Sequence, residues 1–206
     1  MTARPTTVVF DIGNVLLQWD PRNLYRKLFG GREDEMEWFL ANVCSPAWNL
    51  EQDRGRSFAD AVTALIAEHP PTLHPFIRAY DERWHETLGG EIAGSVDIVS
   101  RLKRAGVPLY AITNWNQQKF HETRHRHAFF DAFSGIVVSG DERLLKPAPE
   151  IFHLLFRRYG LQASDCIFID DSLHNVEGAR AVGMSAHHFK SPEDLAAALN
   201  ELGLLR

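Results

Sequence analysis

From residue 94 onward the chain alternates short apolar runs with amphipathic, capped segments, and this alternation restricts it to one architecture: a parallel sheet covered by helices on both faces. The segment GSVDIVSRLKRAG closes on Gly106 and is followed by the apolar VPLYAIT; a helical stretch near 116–127 leads to SGIVVSG. PEIFHLLFRRYG closes on Gly160, CIFIDD follows, VEGARAVG closes on Gly183, and MSAHHF completes the series. A final helix starts at Ser191, which can cap it, with Pro192 in the first helical position and Glu193 and Asp194 at the positive end of the dipole. The first strand of the sheet is expected at Thr7 to Asp11, where VVF is bounded by polar residues.

Between that strand and residue 94 nothing reads as a buried strand. Helix-like stretches near 21–29, 33–43, 57–68 and 75–87 are separated by Gly30-Gly31, Pro46, Arg54-Gly55-Arg56 and Pro70-Pro71. The expected organisation is therefore an α/β, Rossmann-like core of residues 1–14 and 90–206 with a helical cap inserted over 15–89. At 206 residues, a core burying about 70% of the unfolded surface needs no staples.

Composition removes several function classes. Lys and Arg number 22 against 27 Asp and Glu, so the formal charge of −5 gives no basic face for nucleic acid or an anionic membrane. Cys44 and Cys166 are far apart and form no Cys-x-x-Cys, which argues against a disulfide scaffold or zinc ribbon. The opening MTARPTTVVFD has too short an apolar run for a secretory signal, and no window reaches the roughly 18 apolar residues of a membrane span. A cytoplasmic protein is expected, with reduced thiols; its oligomeric state is not encoded in any readable pattern.

In an open parallel sheet, ligands gather at the carboxyl ends of the strands. Here the first strand ends in DIGNV with Asp11, the second in ITNW with Thr113 and Asn114, and the fourth in FIDDS with Asp170 and Asp171; Lys146 lies in LLKPAPE, just before a helix. Three carboxylates at one edge repel one another unless a cation sits among them, and hard oxygen donors select Mg²⁺. With a movable Lys charge and the hydrogen-bond donors Thr113 and Asn114, the set suits phosphoryl transfer, and a strand-end carboxylate can attack phosphorus.

These motifs, DIGNV, ITNW, KPAPEIF and IDDSLHNVEGA in this order and spacing, resemble the haloacid dehalogenase superfamily of hydrolases, with the insertion where one subclass carries a cap. The resemblance implies that Asp11 is the nucleophile and a metal ligand, that Thr113 and Asn114 bind the transferred phosphoryl group, that Lys146 stabilises developing charge, and that Asp170 and Asp171 hold Mg²⁺. The implied substrate is a small phosphorylated molecule.

One position departs from the family pattern. Its phosphatases usually carry a second Asp two residues after the nucleophile to protonate the leaving group, and here that residue is Gly13. Its carbonyl can still face the metal, but losing a general acid costs about 10²–10⁴ in rate. Substrates with easy leaving groups, such as a sugar 1-phosphate, are one answer, and members similar in Asp-x-Gly-Asn-Val support it. Asp20 as a replacement acid is another. A 2-haloacid dehalogenase also lacks the second Asp, although such enzymes replace the acidic pair equivalent to Asp170-Asp171. A catalytically weak protein that binds phosphate compounds is the remaining alternative.

Other signals are weaker. HETRH, from His121 to His125, matches a zinc-protease pattern but sits in a polar stretch and reads as a solvated helix face. His187 and His188 read as packing or edge residues, Cys166 as a buried small hydrophobe, and Trp38 and Trp84 as cap core. Trp48 and Arg54, in the polar SPAWNLEQDRGR, are the expected substrate contacts from the cap, and Trp115 is a candidate wall of the leaving-group pocket.

Overall fold

A computed structural model describes residues 4–205; the extreme ends of the expected core, residues 1–3 and 206, lie outside the described residues. The chain opens with β1 (Thr7–Phe10), whose four side chains are all buried, and then β2 (Leu17–Trp19). Five helices follow: α1 (Arg22–Phe29), α2 (Glu33–Asn42), α3 (Pro46–Asp53), α4 (Phe58–Glu68) and α5 (His74–Glu82). After a 3₁₀ turn at Trp84–Thr87 comes β3 (Leu88–Glu91). The remainder alternates as α6 (Ala93–Arg104), β4 (Leu109–Thr113), α7 (Gln117–Arg124), β5 (Gly135–Val138), α8 (Ser139–Glu142) and α9 (Pro149–Tyr159). It ends with β6 (Cys166–Asp170), α10 (Leu173–Ala181), β7 (Ser185–His188) and α11 (Pro192–Glu201).

Five strands form one parallel sheet in the order β5-β4-β1-β6-β7. Alternate residues of each strand supply opposite faces. Val9, Ile112, Val137 and Phe168 pack with Ile151, Phe152 and Leu155 of α9 and Ala179 of α10. Val8, Phe10, Leu109 and Ala111 face Ile98, Val99 and Leu102 of α6 and Leu195 and Leu199 of α11. The punctuation performs as its chemistry predicts: Gly160 ends α9 in the left-handed conformation at φ 67°, and Ser191 Oγ accepts the Asp194 N–H at the start of α11.

The inserted helices have an aromatic centre. Tyr25 lies 5.0 Å from Phe39 and 6.0 Å from Tyr80, centroid to centroid, and Phe29 stacks on Phe76 at 4.5 Å. Three features differ from the sequence expectation. SPAWNLEQDRGR contains the helix α3, because Ser45 Oγ accepts the Trp48 N–H and Pro46 occupies the first position. Leu17–Trp19 and Leu88–Glu91 pair antiparallel and tie the two crossings between insertion and core, a ribbon too short and glycine-rich to show periodicity. Trp38 is 54% exposed rather than core, whereas Trp84 and Cys166 are buried. Among the described residues no helix is long and apolar enough to cross a membrane.

Candidate active site

The strand order reverses at β1, so the crevice at its carboxyl end lies where successive connections leave on opposite sides. Asp11 stands immediately beyond β1, Thr113 ends β4, Asp170 ends β6 with Asp171 next, and Lys146 arrives on the loop before α9. The register fixes this convergence: Phe10 pairs with both Ala111 and Ile169, so the ends of β4 and β6 flank Asp11.

Lys146 braces the site. Its fully buried ammonium lies 2.8 Å from Asp11 Oδ2 and 2.7 Å from Asp170 Oδ2. Asp170 also accepts from the Ser172 N–H at 2.8 Å and from Asn175 Nδ2 at 3.0 and 3.1 Å, which holds it in place. Asn114 lines the cavity above these groups as well, and its side chain has a further use. Its Nδ2 donates to the Lys146 carbonyl at 3.1 Å and its Oδ1 accepts the Lys146 N–H at 2.9 Å, so the amide positions the lysine loop. Burial, with Asp170 and Asp171 nearby, pushes the Asp11 carboxyl up to about 7 against the pull of Lys146. Burial likewise raises Asp171, with Asp170 adding to it.

These strand ends fit a hard cation. Among the described residues, Asp11, Asp170 and Asp171 are the one group of three or more potential ligands, with one ligand atom from each lying within 4.8 Å of the others. All-oxygen donors and an excess of negative charge match Mg²⁺. A Cβ placed on Gly13 meets nothing within 4 Å, so this position faces open space beside Asp11. His121 and His125 take no part in a metal group; His121 is exposed and lies 3.3 Å from Asp141. His187 reaches Asp194, and His188 Nε2 bonds to the Asp171 carbonyl at 2.9 Å.

A cavity of about 220 Å³ opens above this cluster. Its floor is Asp11, Gly13, Asn14, Thr113, Asn114 and Asp171. Its outer walls are largely apolar, formed by Leu17, Trp19, Leu50, Trp84, Leu88 and Trp115, with Asn49 and Asp53 as the polar exceptions. Trp84 and Trp115 lie 5.5 Å apart, and Trp115 lines the cavity as expected from its place after Asn114. Trp48 and Arg54 do not line it. Trp48 packs edge-on against Tyr80 at 5.1 Å and Phe58 at 6.2 Å, and exposed Arg54 faces Glu51. Asp20 is also elsewhere, paired with Arg22 at 3.3 Å. The helix that carries Trp48 instead turns Asn49, Leu50 and Asp53 to the cavity. The i, i+4 spacing of Asn49 and Asp53 behind a Ser-Pro helix start was the available signal.

Residues 5–183 match the haloacid dehalogenase-like hydrolase family, to which the chain belongs, and the buried lysine braced between strand-end carboxylates at the switch point of the sheet accords with that class. The chain is 36% identical over 180 residues to the sesquiterpene phosphatase astK of Aspergillus oryzae, covering 87% of each chain. It is 25% identical over 195 residues to the fructose-1-phosphate phosphatase YqaB of Escherichia coli, covering 90% of this chain and 97% of that one. The fold matches the magnesium complex of the HAD family enzyme bt-2542 from Bacteroides thetaiotaomicron with a TM-score of 0.73, over 96% of this chain and 99% of the other at 22% identity.

Proposed function

We propose that the protein is a Mg²⁺-dependent phosphatase of small phosphomonoesters that works through an aspartyl-phosphate on Asp11. The observation that carries this reading is the Lys146 ammonium bonded to both Asp11 and Asp170, with Asp11 itself on the floor of a cavity large enough for a phosphoryl group. In the first step an Asp11 carboxylate oxygen bonds to phosphorus while the bond from phosphorus to the ester oxygen breaks, its electron pair leaving on that oxygen. In the second, a water oxygen bonds to phosphorus, the Asp11–phosphorus bond breaks, and inorganic phosphate leaves. Mg²⁺ held by Asp11, Asp170, Asp171 and the Gly13 carbonyl would neutralise phosphoryl charge. Lys146 supplies a second positive charge without entering a covalent bond, and Thr113 faces the same floor as a donor. The helical insertion, residues 15–89, serves as the cap that keeps bulk water from the reacting atoms.

The same walls favour an apolar or aromatic group on the ester. Two tryptophans, Trp84 and Trp115, together with Leu50 and Leu88, offer surface but few hydrogen bonds, whereas a sugar's hydroxyls would need a row of polar partners. The 36% identity to a sesquiterpene phosphatase supports that direction. The test is parallel assay of phosphate release from terpenyl, aryl and hexose 1- and 6-phosphates, and of halide release from a 2-haloacid, each with Mg²⁺ and with chelator. Phosphate release that chelator abolishes, fastest on the apolar esters, is expected; halide release that survives chelator overturns the phosphatase reading.

A further inference from the structure

An alcohol leaving group needs a proton as its bond to phosphorus breaks, and Gly13 has no side chain to give one. Of the three carboxyl residues that line the cavity, Asp11 and Asp171 belong to the strand-end cluster; the third, Asp53, comes from the insertion side. Resting on the phosphatase reading above, we propose that Asp53 on α3 is the general acid that protonates the leaving oxygen and the general base that then activates water.

Its placement is built rather than incidental. The Asp53 carboxyl accepts from Asn49 Nδ2 at 3.0 Å, one turn earlier on α3, and from the backbone N–H of Asn116 in the core. Asn116 Nδ2 donates to the carbonyls of Gln52 and Arg56, both at 3.2 Å, and the Ser139 hydroxyl donates to the Asp53 carbonyl. Gly55, at φ 106°, lets the chain pass so close to the core that a Cβ there would stand 2.8 Å from the Gly140 carbonyl oxygen. Apart from the Asn49 bond within the helix, these contacts hold the last turn of α3 against the loop after β4 and the start of α8, and so hold the carboxyl beside the cavity. The groups around it that titrate or carry charge are Lys146, Tyr80 on α5, and Asp11 and Asp171 across the cavity; Arg54 and Arg56 on its own segment turn to Glu51 and Gln52. Burial pushes the Asp53 carboxyl up to about 7, with the Asn116 N–H and the Lys146 charge opposing it, which leaves it able both to give and to take a proton near neutrality.

The protons balance over one turnover. As the ester bond to phosphorus breaks, its electron pair stays on the leaving oxygen and the Asp53 proton joins that oxygen, releasing the alcohol and leaving Asp53 as carboxylate. In the second step Asp53 takes a proton from the attacking water while the bond from phosphorus to Asp11 breaks, so phosphate leaves and both carboxyl groups return to their starting states.

The test compares butyl phosphate, whose alkoxide needs a proton, with p-nitrophenyl phosphate, whose phenolate does not. Asp53→Asn should lower kcat/KM for butyl phosphate about 10²–10⁴-fold and that for p-nitrophenyl phosphate less than about tenfold. With the aryl ester kcat should fall while KM falls with it, and a burst of one phenolate per site should precede the slow hydrolysis of the phosphoenzyme. Equal losses on the two esters in a folded variant, or no loss on either, overturn the role of Asp53. Should Asp53→Asn not fold, the wild-type pH profiles decide. An alkaline limb near pH 7 in kcat/KM for butyl phosphate alone supports Asp53, and a limb shared by both esters overturns it. Turnover surviving Asp11→Asn would instead overturn the phosphatase reading itself, so the two failures are distinguishable.

Discussion

The two walls of the cavity are held by different physics. The strand-end wall is fastened by charge: one buried ammonium bonds two carboxylates, and Asp170 accepts from two further donors, Ser172 N–H and Asn175 Nδ2. The α3 wall is fastened by neutral hydrogen bonds to backbone atoms, with Asn116 and Ser139 as the side chains that reach across from the core. Buried charges cannot be rearranged without a large cost, whereas neutral contacts at a rim are exchanged for water at a smaller one. The floor is therefore the fixed half of the site and α3 the half that can be released.

Breaking the floor should have the largest effect. Lys146→Met leaves Asp11 and Asp170 buried without their counter-charge, and loss of one partner from such a network costs about 3–5 kcal/mol. Urea unfolding in chelator should show that loss, and added Mg²⁺ should raise the midpoint of the variant more than that of the wild type. A loss below about 1 kcal/mol would mean that the floor is not charge-locked.

Releasing α3 should cost less and separate placement from folding. Asn116 does two jobs: its Oδ1 caps α7 by accepting the N–H groups of Gln118 and Lys119, and its Nδ2 clamps α3. Asn116→Asp keeps a good capping oxygen but replaces the donor with a second acceptor facing two carbonyls. The stability cost should be about 1–3 kcal/mol, with butyl phosphate turnover falling more than p-nitrophenyl phosphate turnover as Asp53 loses its position. Asn116→Ser, which also caps, should lose the clamp without adding repulsion, and so should lie between the two. If Asn116→Asp and wild type turn over both esters alike, the clamp does not place Asp53.

The same contrast explains what the sequence disclosed. Asp11, Thr113, Asp170 and Asp171 were legible because a buried parallel strand advertises its own end: an apolar run stops at a polar residue, and the topology then brings the ends together. The α3 wall had no such marker. Its contribution depends on which side of a short helix meets the core, and that is decided by contacts with Asn116 and Ser139, more than sixty residues away in sequence. Aromatic size drew attention to Trp48, yet its neighbours Tyr80 and Phe58 claim it for the insertion's core, and the less conspicuous Asn49 and Asp53 face the cavity. Asn114 was placed correctly at its strand end, but its amide could not be known to serve Lys146 until the lysine loop was seen beside it.

The smallest effect sharpens the comparison from the α3 side. A carboxyl at about 7 in the folded chain and 3.8 unfolded binds its proton more tightly when folded. Its stabilising contribution is therefore complete below pH 4 and is lost as pH rises through 7. Asp53 is half-buried and borders a cavity that water enters, so screening reduces the effect to on the order of 1 kcal/mol. Asp53→Asn, which carries no charge to confine, should match the wild type near pH 4 and exceed it by that amount at pH 8, measured by urea unfolding in chelator so that the floor is treated alike in both. A difference between the two proteins that does not change with pH would place the ionised Asp53 carboxylate in water, and the α3 wall would then lack the proton reservoir that its position beside the cavity provides.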